Sequence, residues 1–130
     1  MQKYGIILII LIVLVSFTGC AKKPSNVATQ FMTSIHKLDF DGAKQFATKD
    51  SEELLTLLQG FASKMSEEQK TDMLNKKFVI TDTKITGDSA IVTYDQFDVQ
   101  DPDNKESKEL KMKKENGEWK VKLEKGNAGK

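Results

Sequence analysis

The chain has 130 residues, with 20 basic and 19 acidic side chains and a formal net charge of +1. Every basic residue is lysine, so no guanidinium fork is available for bidentate reading of phosphate or guanine, and a near-neutral chain of this kind fits nucleic-acid binding poorly. One cysteine excludes an internal disulfide framework, and one histidine leaves a metal site without partners.

The first element is a leader. Lys3 gives a positive head, residues 6–15 are an unbroken aliphatic run, and Ser16-Phe17-Thr18-Gly19 leads into Cys20. This is the three-part layout of a secretory signal peptide. Thr18-Gly19-Cys20 resembles the lipobox of bacterial lipoproteins, with Phe17 standing where leucine is usual. The resemblance implies a signal peptide over 1–19, cleavage between Gly19 and Cys20, and acylation of the Cys20 thiol. Two alternatives stay open. One is an uncleaved helix over residues 4–21, at the lower limit of spanning length; the other is a plain cleaved signal that leaves Cys20 a free thiol. All three place the remainder outside the cytoplasm, and the lipoprotein reading holds it to the cell membrane or an outer membrane. One acyl chain binds a bilayer only marginally, whereas two or three hold firmly. Residues 20–25 are then a lipidated tether, in which Lys22 and Lys23 meet anionic headgroups or simply stay solvated.

One α+β domain is expected over 26–125, followed by a disordered tail at 126–130. Ser25 or Asn26 caps a first helix whose apolar stripe is Val27, Phe31, Ile35 and Leu38, with Ala28 and Met32 on its border. His36 lies at the edge of that stripe, as a rim residue rather than a metal ligand. Asp39-Phe40-Asp41-Gly42 breaks the chain, and a short helix over 43–47 buries Phe40, Ala43 and Phe46. Asp50 and Glu53 form a capping box for a third helix, with Leu54, Leu57, Leu58, Phe61 and Met65 facing inward. Gly60 within it signals close packing or a bend. Ser66 and Gln69 open a fourth helix carrying Met73 and Leu74.

From Lys77 the period changes to two. Strands are expected over 78–85 and 90–99, joined by Gly87-Asp88, and the mixed phase of the second suggests a bulge or two partly covered faces. Residues 101–104 read as a proline loop, and their oxygens, with Asp98, lack the glycine and terminal glutamate of a calcium loop. Strands over 107–115 and 118–123 flank Asn116-Gly117, the strongest short hairpin signal. That turn sets a register in which Lys113 faces Lys120 and Glu115 faces Glu118, while Met112 meets Val121 and Trp119 sits beside Lys114. One face is thus apolar and the other wholly charged, with opposite charges placed diagonally or two along a strand.

Helices followed by a meander make a helical layer on a sheet. The chain resembles the nuclear transport factor 2-like superfamily, the cone fold in which helices cap a strongly curved sheet. The likeness is carried by residues 27–32 through Asp41-Gly42-Ala43, by Ser66-Glu67-Glu68-Gln69, and by residues 116–121. It extends over nearly all of the mature chain and is nearest to small bacterial lipoproteins of this fold without an assigned role. It implies a pocket between sheet and helices, for which Phe31, Ile35, Phe46, Phe61, Tyr94 and Trp119 are the candidate lining residues. No cofactor is expected and no catalytic residue is assigned. An enzyme of isomerase or dehydratase type is the rival, drawing on His36, Tyr94 and Asp95 or Asp98. Tyr94 and Asp95 point to opposite faces unless a bulge intervenes. The expected partners are membrane lipid through acylated Cys20, and a small apolar ligand or an envelope protein. A structural envelope protein is a further alternative, and the number of subunits is left open.

Overall fold

A computed structural model describes residues 22–125. The expected signal peptide and cleavage site, Cys20, the first part of the expected tether and the expected tail at 126–130 lie outside the described residues. Among the described residues four helices come first: α1 (Pro24–His36), α2 (Phe40–Lys44), α3 (Lys49–Ala62) and α4 (Glu67–Leu74). Four strands follow: β1 (Lys76–Thr86), β2 (Ser89–Asp98), β3 (Asp101–Glu115) and β4 (Glu118–Val121). They form one antiparallel meander in the order β1-β2-β3-β4, curved beneath the helical layer. No helix among the described residues is long and apolar enough to cross a membrane.

Helix α1 begins earlier than its sequence suggests. Lys23 is the N-cap and Pro24 opens the first turn, where a missing N–H leaves nothing unsatisfied. Val27, Ala28, Phe31 and Met32 are buried, with Ile35 and Leu38 packed against them. The Asp39 carboxylate accepts from the Gly42 N–H at 3.0 Å and so starts α2 at Phe40 rather than at Ala43. A Cβ at Gly42 would collide with that carboxylate. In α4 both halves of the expected capping box are made. Ser66 Oγ accepts from the Gln69 N–H at 3.2 Å, and Gln69 Oε1 accepts from the Ser66 N–H at 3.0 Å.

Helix α3 corrects the sequence reading. Its N-cap is Thr48, not Asp50, and the buried side chains are Ser51 and Leu55, with Leu58 and Ala62 packed alongside. Leu57 is 57% exposed and Phe61 63% exposed, so the helix is turned away from the stripe of bulkiest side chains. The cause lies at its first turn. Val121 at the sheet edge donates its N–H to Phe46 O at 2.7 Å, and its carbonyl accepts from the Thr48 N–H at 2.9 Å. Ser51 Oγ accepts from the Leu123 N–H at 2.8 Å and lies 2.7 Å from Thr48 Oγ1. A helix that must place Ser51 against the sheet then places Leu55 there one turn later. A Cβ at Gly60 would meet no atom within 4 Å, so close packing does not explain the glycine.

The sheet follows its alternation closely. The β3–β4 register is the expected one, with Met112 opposite Val121, Lys113 opposite Lys120 and Glu115 opposite Glu118. Asn116 (φ 53°) and Gly117 (φ 78°) both lie in the left-handed region, as a primed two-residue turn requires. Trp119 and Val121 are buried, and the outer face pairs Lys111 with Glu124 at 3.0 Å and Lys120 with Glu118 at 3.6 Å. The bulge expected in β2 belongs to its neighbours. Thr81 of β1 is the extra residue between the pairs Ile80–Tyr94 and Asp82–Thr93. On the other side, residues 102–105 of β3 stand opposite Phe97 between the pairs Gln96–Glu106 and Asp98–Asp101. The proline segment is therefore an extended part of β3 rather than a loop.

The rotated face of α3 makes a direct prediction. In chemical denaturation of the full chain, Leu55→Ala is expected to lower stability by about 2–5 kcal/mol. Phe61→Ala is expected to change it by about 0.5 kcal/mol or less. The reverse order would show that the bulky stripe packs inward.

Candidate functional site

Between the helices and the inner face of β2 and β3 the fold leaves a cavity of about 410 Å³. Helix α1 contributes Phe31, Met32, Ile35 and His36 to its wall. Leu54, Leu55 and Leu58 come from α3, and Met73 from α4. The sheet side includes Tyr94, Leu110 and Leu123, with Gln96 and Lys108 at one end, and the charged residues Glu109, Lys111, Lys122 and Glu124 also border it. The volume lies in the range of small-molecule sites, and apolar walls with a few convergent polar groups are their usual makeup.

The polar end is built by register. Tyr94 lies directly opposite Lys108, and Gln96 follows two residues along β2 on the same face. His36 reaches the same end from α1, where its Nδ1–H donates to Lys76 O at 2.9 Å. A carbonyl only accepts, so the proton is on Nδ1 and Nε2 keeps its lone pair while the ring is neutral. The Phe78 ring stands edge-on to both His36 (5.2 Å) and Tyr94 (6.4 Å), fixing two polar tips on one aromatic support. Burial is the main cause that lowers the His36 pKa below 6.5; the bond to Lys76 O opposes this, and the Lys108 charge adds to it. Burial raises that of Tyr94, so its hydroxyl stays a donor at neutral pH.

Of the six expected lining residues, Phe31, Ile35 and Tyr94 line the cavity. Trp119 is buried away from it, with Lys114 Nζ 5.1 Å from the ring centre. Phe46 packs at the edge of the core, and Phe61 faces solvent. Tyr94 and Asp95 do point apart: the ladders run without interruption through both, so Asp95 lies on the outer face. Sequence reasoning missed Gln96 and Lys108. The signal for Lys108 was present, since it precedes Leu110 and Met112 by even steps on the apolar face of β3.

A second, polar groove of about 420 Å³ lies beyond this end, lined by Asp98, Asp101, Asn104 and Glu106 among others, and sharing Gln96 and Lys108 with the cavity. Ion pairs of Lys76 with Asp98 (3.7 Å) and of Lys108 with Glu106 (3.6 Å) cross it. Among the described residues, no three His, Cys, Asp or Glu side chains are grouped to hold a metal ion.

A curved four-stranded meander packed under helices has a solved counterpart. A Campylobacter jejuni protein named as a candidate NTF2-like transpeptidase superposes with a TM-score of 0.58 at 19% identity, over 79% of this chain and 100% of that one. The fold is nuclear transport factor 2-like. An NTF2-like protein of unknown function from Cytophaga hutchinsonii aligns over 78% of this chain and 88% of its own, with a TM-score of 0.45 at 12% identity. No family model matches the chain, and no curated protein matches it. The domain thus has the NTF2-like architecture expected from its motifs, with the cavity in the place that the resemblance implied.

The lowered His36 pKa links stability to pH. Below 6.5 the unfolded chain binds a proton that the folded one resists, so stability is full above 6.5 and falls as pH drops from there. His36→Gln is expected to flatten this slope in denaturation series between pH 6.5 and the carboxylate range. An unchanged slope would mean that the ring is not desolvated.

Proposed function

We propose that this protein is a lipid-anchored extracytoplasmic binding module whose NTF2-like domain holds a small, largely apolar molecule. The observation that carries the binding reading is the cavity of about 410 Å³ with Phe31, Ile35, Leu58 and Tyr94 in its wall. A filled cone would have favoured a protein-interaction role instead. The anchor rests on the leader sequence and Thr18-Gly19-Cys20. It puts the domain at the outer surface of a membrane, a few residues from the bilayer.

The transpeptidase name of the Campylobacter protein is not extended to this chain. Acyl transfer through a covalent intermediate needs an activated nucleophile, and among the described residues no serine or cysteine lines the cavity. Ser51, the buried serine beside it in the fold, is engaged with Leu123 N and Thr48 Oγ1. A second reading, a pocket enzyme of isomerase type, has one observation in its favour. His36, neutral at pH 7 with Nε2 unprotonated, and the Tyr94 hydroxyl line one apolar cavity, which supplies a base and a donor.

Two measurements test the proposal. Mass spectrometry of membrane-extracted protein is expected to find an acylated Cys20 as the first residue; an unmodified Cys20 with the leader retained would sink the anchor. Solvent extraction of the purified full chain is expected to release a small molecule that the cavity-filling variant Leu58→Trp lacks, a loss of about tenfold or more. Identical extracts would overturn the binding reading. A molecule that the protein converts on re-incubation would move the assignment to the enzyme.

A further inference from the structure

Resting on the cavity-binding reading, we infer that the occupant is an organic acid, with an apolar body among Ile35, Leu58 and Leu110 and one carboxylate at Lys108. The inner face of β3 presents Lys108, Leu110 and Met112 in alternation, so Lys108 is the charged side chain that this strand turns into the cavity. The other charged residues of the wall, Glu109, Lys111, Lys122 and Glu124, belong to the opposite face, where Lys111 and Glu124 bond each other at 3.0 Å.

Lys108 is placed to accept a new anion. Its side chain is 32% exposed, and its ion-pair partner Glu106, at 3.6 Å, is 73% exposed. An exposed pair of this kind contributes little, and a carboxylate delivered on a bound ligand exchanges for Glu106 at small cost. Hydrogen bonds to an ionised acceptor are the stronger class, and two further residues with donor groups line the same end of the cavity. Tyr94 is the cross-strand partner of Lys108, and Gln96 follows two residues along β2 on the same face. An amine-headed ligand would meet the Lys108 ammonium itself, and the carboxylate on that face of β3, Glu106, is paired to Lys108 at 3.6 Å and is not among the residues lining the cavity.

The position of this end fits the assignment. Gln96 and Lys108 line both the apolar cavity and the polar groove, so the head sits at the junction where water reaches it. The tail runs inward, away from the groove. This distribution avoids the burial of an unpaired charge, the most expensive outcome for an acid in an apolar site.

The test compares 4-phenylbutanoate with its neutral amide by calorimetric titration of the full chain in neutral detergent at pH 7. The acid is expected to bind about tenfold more tightly or better, a difference of about 1.4 kcal/mol. Lys108→Met is expected to erase that preference while the amide still binds, which also reports an intact cavity. Lys108→Arg is expected to retain it. Equal affinities for acid and amide in the native chain, or a preference that survives Lys108→Met, would overturn the head-group assignment alone. Failure of both compounds to bind would overturn it together with the cavity reading beneath it.

Discussion

The helical layer is joined to the sheet by main-chain hydrogen bonds at the β4 edge, and the rest of the geometry depends on that join. Val121 bonds the chain between α2 and α3 on both sides, through Phe46 O and the Thr48 N–H, making a short parallel bridge with Ala47. Val121, Ala47, Thr48 and Ser51 are all nearly or fully buried, so each of these polar groups would be costly if unpaired. Ser51 Oγ satisfies the next strand N–H, that of Leu123, after the β4 ladder has ended. The edge strand is thereby covered rather than left open to pairing with another chain. Lys120, from the charged face, bends over the same edge to donate to Gln45 O.

Fixing one side of the cone in this way decides where the empty space falls. With Ser51 held to Leu123 just past β4 and Leu55 buried one turn later, Leu54 and Leu58 border a gap that residues of α1 and α4 also line. The core proper occupies the closed side, where Val27, Phe31, Ala43, Val92, Met112 and Trp119 pack together. The open side receives the ends of β2 and β3, which bring Tyr94, Gln96 and Lys108 together without any loop. Side chains mounted on paired strands and braced by Phe78 are positioned more firmly than loop residues, which suits a site that must distinguish one head group from another.

Much of the fold was legible because its signals are local. The Asn116-Gly117 turn set the register of Met112, Lys113 and Val121 correctly, since a primed turn admits few residue types and a period of two carries the consequence along both strands. The Ser66–Gln69 box was readable for the same reason. The face of α3 was not. Its phase is fixed by a serine hydroxyl serving a backbone donor more than seventy residues later in the chain, and hydropathy assigns a buried serine no weight. The cavity was half legible: Phe31, Ile35 and Tyr94 lie on apolar stripes, whereas Lys108 is a charge on an apolar face, which pattern reading treats as an irregularity. Phe46, Phe61 and Trp119 show the opposite failure, because aromatic bulk marks hydrophobic payload and carries no information about which side of a core it fills.

The extra residue in β1 separates two properties that usually change together. Phe78 and Ile80 precede Thr81, and Thr83 and Ile85 follow it, so the inward set steps by three across the bulge. Deleting Thr81 would restore a strictly alternating strand with Phe78, Ile80, Thr83 and Ile85 still on one face. The strand would lose its kink and local twist, together with the hydroxyl that reaches Thr93 O at 3.3 Å. Insertion and deletion at this one codon therefore form a dial for the breadth of the cone, independent of its greasy lining.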